Sequence, residues 1–450
     1  MSVTYPLKGL NKEVLRLAVP SILASITIPL VGMVDTAIVG HIADATAIGG
    51  IAIGTMLFDL LYWNFSFLRI GTGGMTAQAC GRKDKKAMSD ILAQSLGISL
   101  SASLLIWALQ WVFVNVVLWF VPCSEEVASF ARSYFFVRIW AAPATLSLLA
   151  LKGWFIGMQN TVAPMVCDLV VNVVNVIASY LLAVKTPLGA LGVAHGTVVA
   201  QYTGLLAAAL LLCKYRDTLR ALDWKHCIRW SEMRKLFVLN GNLFVRSLCF
   251  MVVYVGFTTI AAKYGDTELA VSSIMMKLLM LYSYFLDGFA YAGEALTGRF
   301  FGEKNKTALR SLVKILFLWA LVIGVVSTFA YAFGGEWLVR LMTNDSDIIG
   351  CSRRYLFWLV LMPLLSCAAF LWDGIYIGAT AGKEVRNCMI WAALSFIIVY
   401  FALERVFMVQ ALYIAYFVHL VVRTVYMTLK WKPVEQRIET METMETTVNA

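Results

Sequence analysis

The stretch "IPLVGMVDTAIVGHI", from Ile28 to Ile42, is apolar except for one carboxylate, Asp35. A charge in hydrocarbon costs at least ~2.5 kcal/mol on insertion scales, so acids in such runs face a cavity or a partner. Desolvation also favours the neutral acid. An acid of this kind loads and releases a proton near neutral pH, and no cation close in sequence neutralises this one. At 1.5 Å per residue, Asp35 stands ~30 Å along the first apolar run from its inner end. Asn175 and Ser179 stand ~18 and ~24 Å out along the fifth run, four residues apart and on one helix face. Thr197 lies ~10 Å inward from the outer end of the sixth. Similar depth predicts one polar pocket of Asp35, Asn175, Ser179 and Thr197 in the outer half of the first bundle. The alternative for Asn172 and Asn175 is helix-to-helix hydrogen bonding. Pro20 and Pro29 share the helix of Asp35. Each lacks an N–H and frees a carbonyl one turn earlier, which gives either a bend that follows the charge of Asp35 or a fixed kink.

Further along, Arg246 lies ~15 Å into the seventh run and Asp287 ~16 Å from the inner end of the eighth. Equal depth and opposite charge predict an ion pair. Glu294 and Asp373 fall nearer the inner face, where they line an inward-open cleft. With Arg246 and Asp287 they form the expected substrate cleft. His41, His195 and His419 read as interfacial or packed residues, and Asp59 and Arg138 as buried without an assigned role. No Walker A loop, H-E-x-x-H or G-x-S-x-G occurs, which argues against ATP hydrolysis and hydrolytic catalysis, and no cofactor is expected.

The elements that must position these residues are membrane helices. The 450-residue chain is 60% hydrophobic and 14% charged, against about 25% charged for soluble domains. Twelve continuous apolar runs reach the ~20 residues needed to cross a bilayer. They lie near 15–42, 47–71, 91–120, 133–157, 163–184, 190–213, 236–261, 268–298, 310–333, 355–378, 388–404 and 409–429. Continuity without alternation favours helices over a barrel. The first run shows no small-residue cleavage site and reads as an uncleaved span. Twenty-three Lys and Arg fall on one side of these spans and seven on the other, which predicts both termini in the cytoplasm. The same loops account for the net charge of +10 without a nucleic-acid partner. The nine cysteines include no C-x-x-C pair and read as packing residues, so neither a disulfide framework nor a metal site is expected.

The sequence also repeats itself at an offset of 221: "GRKDKKA" at Gly81 with "GEKNKTA" at Gly302, "ARSYFF" with "SRRYLF", Gly153 and Gly157 with Gly374 and Gly378, and "ALGVA" with "ALYIA". The predicted fold class is an all-α membrane protein of twelve helices in two six-helix bundles. Six is even, so the bundles share one orientation and are expected to be related by a pseudo-twofold along the membrane normal. The expected domains are an N-lobe over 1–213, a cytoplasmic linker over 214–235, a C-lobe over 236–432 and a disordered tail over 433–450.

"MVDTAIVGHI", "LDGFAYAGEALTGRFFG" from Leu286 and "DGIYIGAT" from Asp373 resemble the multidrug and toxic compound extrusion (MATE) family, in particular its DNA-damage-inducible F (DinF) branch. The resemblance implies two lobes around a central cleft and export driven by a proton or sodium gradient. It places the coupling acid at Asp35 and the helix-bending proline at Pro20. It also implies a polar set at Tyr134, Asn175 and Thr197, with Ser179 where related members carry an aspartate. One carboxylate makes a poor sodium cage, since hard cations want several oxygens, so the proton is favoured. The expected protein is a monomeric, multi-pass inner-membrane antiporter that exchanges protons for amphipathic organic molecules and is not an enzyme. Sodium coupling, export of a citrate-like organic anion and flipping of a lipid-linked precursor stay open.

Overall fold

In a computed structural model, residues 7–42, 45–121, 123–223, 227 and 229–448 are described, with side chains except at 7–8, 28–37, 39–42, 45, 230, 232 and 440–448. The described residues are helical and contain no strand. In chain order the helices are α1 Leu7–Ile42, α2 Ala45–Asn64, α3 Phe67–Gly81, α4 Lys85–Phe120, α5 Glu125–Arg138, α6 Ala142–Gly157, α7 Val162–Lys185, α8 Leu191–Leu212, α9 Arg216–Leu219 and α10 Trp230–Ala262. They continue with α11 Asp266–Gly302, α12 Lys306–Met342, α13 Ser346–Ser352, α14 Leu356–Gly378, α15 Gly382–Phe407 and α16 Val409–Val448. Eleven spans among the described residues are long and apolar enough to cross a membrane, with α2–α3 and α5–α6 each forming one crossing in two pieces. The 36-residue α1 makes the twelfth. Several helices extend beyond their apolar runs, as α12 does at both ends. Outward faces carry exposed Trp119, Phe333, Leu206 and Ile398, which suit lipid tails.

The 221-residue repeat is visible in the backbone. After α3 the chain turns through Lys83 at φ 57°, and after α11 through Lys304 at φ 56°. Asp84 then caps α4 by accepting from the Ala87 N–H, and Asn305 caps α12 by accepting from the Ala308 N–H. Gln159 and Thr380, again 221 apart, take positive φ after α6 and α14. Two glycine contacts repeat as well. A Cβ on Gly153 would sit 2.1 Å from the Arg69 carbonyl oxygen, and one on Gly374 would sit 2.1 Å from that of Ala290. Glycine there lets α6 lie directly on α3, and α14 directly on α11, with no side chain between them.

The contacts divide the chain into two compact units. One is Leu23–Phe237; the other is Val238–Ala450 together with the chain up to Ile22. The division falls inside α1, two residues beyond Pro20. In the second unit, Asn11 accepts from the Trp319 indole at 2.7 Å, Glu13 pairs with Arg299 at 3.4 Å, and Gly288 packs on Ala18 and Ile22. In the first unit, Thr27 accepts from the Asn172 amide at 2.7 Å, and Ile38 packs on the Ala183–Val193 cluster.

Two expectations need revision. The stretch 433–448, expected as a disordered tail, continues α16 as helix. Val434 and Ile438 are buried, and Glu435, Arg437 and Glu439 pair with Arg310, Glu384 and Lys306. Apolar residues four apart and charges that match the α12 and α15 termini outweigh the low-complexity composition. The stretch expected as a linker docks on α4: Asp223 pairs with Lys86 at 3.0 Å, and the Cys227 carbonyl accepts from Gln94 at 2.9 Å. Burial, with Asp90 and Asp223 nearby, pushes the Cys227 thiol above its ordinary pKa.

Gly153→Ala and Gly374→Ala should each lower the unfolding free energy in detergent by about 2 kcal/mol or more, since overpacking here meets backbone. Gly97→Ala, with open space around it, should be neutral or slightly stabilising. Thermal unfolding of the three variants checks this.

Candidate functional site

The polar residues of the N-lobe lie where α7 and α8 meet. Gly196 makes the approach possible: a Cβ there would lie 2.5 Å from the backbone nitrogen and hydroxyl of Ser179. This contact buries Asn175, Ser179 and Thr197 together. The Asn175 amide donates to the Thr197 hydroxyl at 3.1 Å, and that hydroxyl donates to the Val193 carbonyl at 3.1 Å. Ser179 Oγ is fully buried and has no hydrogen-bond partner among the described residues. Three of the residues expected in one pocket are therefore brought together. The side chain of the fourth, Asp35, lies outside the described residues. Its position on α1 falls between Thr27 and Ile38, the two places where α1 meets the α7 region.

Tyr134 lies on α5 and packs against α2 and α8. Its ring rests on Gly54 of α2, and its hydroxyl accepts from Arg138 at 3.3 Å. The Arg138 guanidinium lies over the Phe58 ring at 4.6 Å. Tyr134 also shares a packed cluster with Ala194 of α8, one turn before Thr197. Pro20 is half-buried on α1 beside the unit division.

In the C-lobe the expected partner of Arg246 was Asp287, but the ion pair goes to Asp373 of α14 instead. Depth alone could not choose between two acids. Arg246 Nη2 donates to Asp373 Oδ2 at 2.7 Å, and Arg423 of α16 donates to the same oxygen at 2.7 Å. Arg423 is 1% exposed and Asp373 7%. His419, one turn before Arg423, is equally buried. Glu294 is buried on α11, and Asp287 is half-buried. In this structure Asp373 and Glu294 are thus enclosed rather than lining an open inner surface.

Arg423 went unread in the sequence, although the depth rule applied to Arg246 would have flagged it. So did the N-lobe pair Lys152–Asp168, which joins α6 to α7. The repeat was the available signal: Lys152 lies 221 residues before Asp373, and both directly precede a close-packing glycine. Outside the spans, Glu336 pairs with Arg353 at 2.8 Å and holds that guanidinium above its ordinary pKa.

Twelve membrane helices in two six-helix lobes, each with a buried polar centre and without a hydrolytic motif, define a secondary-transporter architecture. The MatE family model matches residues 20–181 and again 243–403, one match per repeat, and the chain belongs to that family of transporters. It is 34% identical over 388 residues to DNA damage-inducible protein F of Escherichia coli, covering 86% of this chain and 84% of that one. It is 24% identical over 389 residues to multidrug and toxin extrusion protein 1 of Danio rerio, covering 84% of this chain and 63% of that one. A solved MOP superfamily transporter from Pyrococcus furiosus superposes with a TM-score of 0.84 at 18% identity, over 96% of this chain and 97% of that one.

Lys152 and Asp168 are mostly enclosed, so removing either charge strands the other. Lys152→Met and Asp168→Leu should each cost about 3 kcal/mol, and the double variant should recover most of that loss. A double-mutant cycle of unfolding in detergent measures the coupling.

Proposed function

We propose that the chain is a proton-coupled antiporter of the inner membrane that exports amphipathic organic molecules, with both termini in the cytoplasm. What supports this reading is one acid in the apolar part of α1, Asp35, whose position along the helix lies between Thr27 and Ile38, with the buried Asn175–Ser179–Thr197 set on the α7–α8 region that these two residues contact. Thr27 bonds Asn172, and Ile38 packs on the Ala183–Val193 cluster, so the position of Asp35 on α1 lies between two contacts with the α7–α8 region.

The set offers an amide, two hydroxyls and no second carboxylate. A neutral acid donates a hydrogen bond to such groups, and a carboxylate accepts one. Both protonation states of Asp35 therefore have chemistry available there. Sodium would need several oxygens and a compensating negative charge, which a serine at position 179 does not add. The names of the relatives, one a multidrug and toxin extrusion protein, agree with organic substrates.

In the proposed cycle a proton bound at Asp35 changes how α1 packs on α7 and α8. Pro20 lacks the N–H that would bond the Arg16 carbonyl, so α1 is weakest next to the point where its contacts pass from one unit to the other. Rearrangement there alters the N-lobe pocket and releases substrate outward.

Asp35→Asn should fold normally and lose pH-driven efflux, measured with a dye panel in proteoliposomes under separately imposed pH and sodium gradients. Efflux in the wild-type protein should follow the pH gradient at constant sodium. Efflux driven by sodium at constant pH, or unimpaired in Asp35→Asn, ends the proton-coupled reading.

A further inference from the structure

The buried charges of the two lobes do not balance alike. In the N-lobe, Lys152 meets Asp168 one to one. In the C-lobe, at the repeat-equivalent place, two guanidiniums share one carboxylate. Arg246 and Arg423 both donate to Asp373 Oδ2, and among the described residues Asp373 Oδ1 and the Nε atoms of both arginines are buried without a hydrogen-bond partner. Among the described residues, Asp373 is the carboxylate that pairs with either guanidinium, and His419 and Cys388 lie close by. An imidazole brings no negative charge in either protonation state, and His419 Nδ1 is itself without a partner. Among the described residues the cluster thus sets two guanidiniums against one carboxylate, inside a membrane span.

A structural ion cluster in hydrocarbon gains nothing from an uncompensated guanidinium, because desolvating it costs several kcal/mol. Arginine also prefers a two-pronged contact with two oxygens, and each fork here is used at one prong towards Asp373. The three side chains differ in access. Arg423 is sealed in, with the Phe370 ring beneath it at 5.6 Å, whereas the side chains of Arg246 and Asp373 keep 16% and 10% of their surface.

We propose that Arg246, Asp373 and Arg423 form a binding subsite in the C-lobe for one oxyanion, a carboxylate or a phosphate. The anion takes the accessible edge of Arg246 and competes with Asp373, which stays on Arg423. Asp373 then acts as an internal stand-in that neutralises part of the site when no anion is bound. The inference does not depend on the coupling ion. If the anion belongs to the transported molecule, the site selects organic anions or zwitterions; if it belongs to a lipid, the same chemistry anchors an anionic headgroup.

The test uses the full chain and two probes at constant ionic strength. Benzoate, against chloride and against benzylammonium, is titrated into detergent-solubilised protein and followed by thermal unfolding and calorimetry. Nanodiscs of phosphatidylglycerol, against phosphatidylcholine, supply the lipid phosphate. Benzoate should bind and raise the unfolding midpoint where benzylammonium does not. Arg246→Gln should weaken that binding about tenfold or more, the loss of a charge-assisted pair. Asp373→Asn, freed of the internal competitor, should bind several-fold more tightly and gain more stability from benzoate than the wild-type protein. Stabilisation by phosphatidylglycerol alone, lost in Arg246→Gln, supports the subsite with lipid as the source of the anion. No response to either probe, or an equal response in Arg246→Gln, overturns the subsite. If Asp373→Asn fails to fold, the comparison of wild type with Arg246→Gln decides. Because binding needs no gradient, loss of this subsite leaves the proton-coupled reading standing, and failure of pH-driven efflux leaves the subsite standing.

Discussion

Hydrocarbon does not solvate charge, so an ionised group in a span must be answered by the protein or by what the protein binds. Much of this molecule follows from that constraint. Lys152 is answered by Asp168, and Asp373 by two arginines. The polar set of α7 and α8 is different in kind: an amide and hydroxyls, whose own hydrogen bonds are partly met within the set and partly left open at Ser179. A permanently charged partner would fix an acid in one state. Neutral donors and acceptors let it exchange states, which is what proton coupling at Asp35 requires.

The duplicated scaffold explains how such different polar centres arise in similar surroundings. The turns at Lys83 and Lys304, the caps at Asp84 and Asn305, and the glycine contacts at Gly153 and Gly374 hold each lobe by the same local means. With the backbone fixed twice over, the residues just before those glycines are free to differ. One lobe places a lysine there and the other an aspartate, and the partners on neighbouring helices changed accordingly. The contacts of α1 fall in both units, dividing near Pro20, whose missing N–H leaves out one backbone hydrogen bond of the helix that carries the proposed coupling acid.

The fold was legible in the sequence because apolar length is a strong signal in a membrane protein. The twelve runs lie inside the twelve helical crossings to within a residue at their starts, and the offset of 221 recurs in φ angles and caps. Helix ends were less legible: the tail lacks an apolar run, yet its charges match the ends of α12 and α15. Depth along a helix placed Asn175, Ser179 and Thr197 together because parallel and antiparallel helices preserve depth. It says nothing about which face a side chain takes. For that reason it paired Arg246 with Asp287 instead of Asp373, and it could not see that Gly54 holds Tyr134 against α2. Arg423 was hidden in an apolar run whose other residues drew the eye to hydropathy.

The most direct test of the proposed coupling is to count protons while substrate binds. Purified protein in weakly buffered solution, with a pH indicator present, is mixed with a transported dye near neutral pH. The account predicts release of about one proton per dye bound, a release that disappears when position 35 is asparagine although the dye still binds. Dye binding with no proton released, or the same release without the carboxyl group, would contradict it.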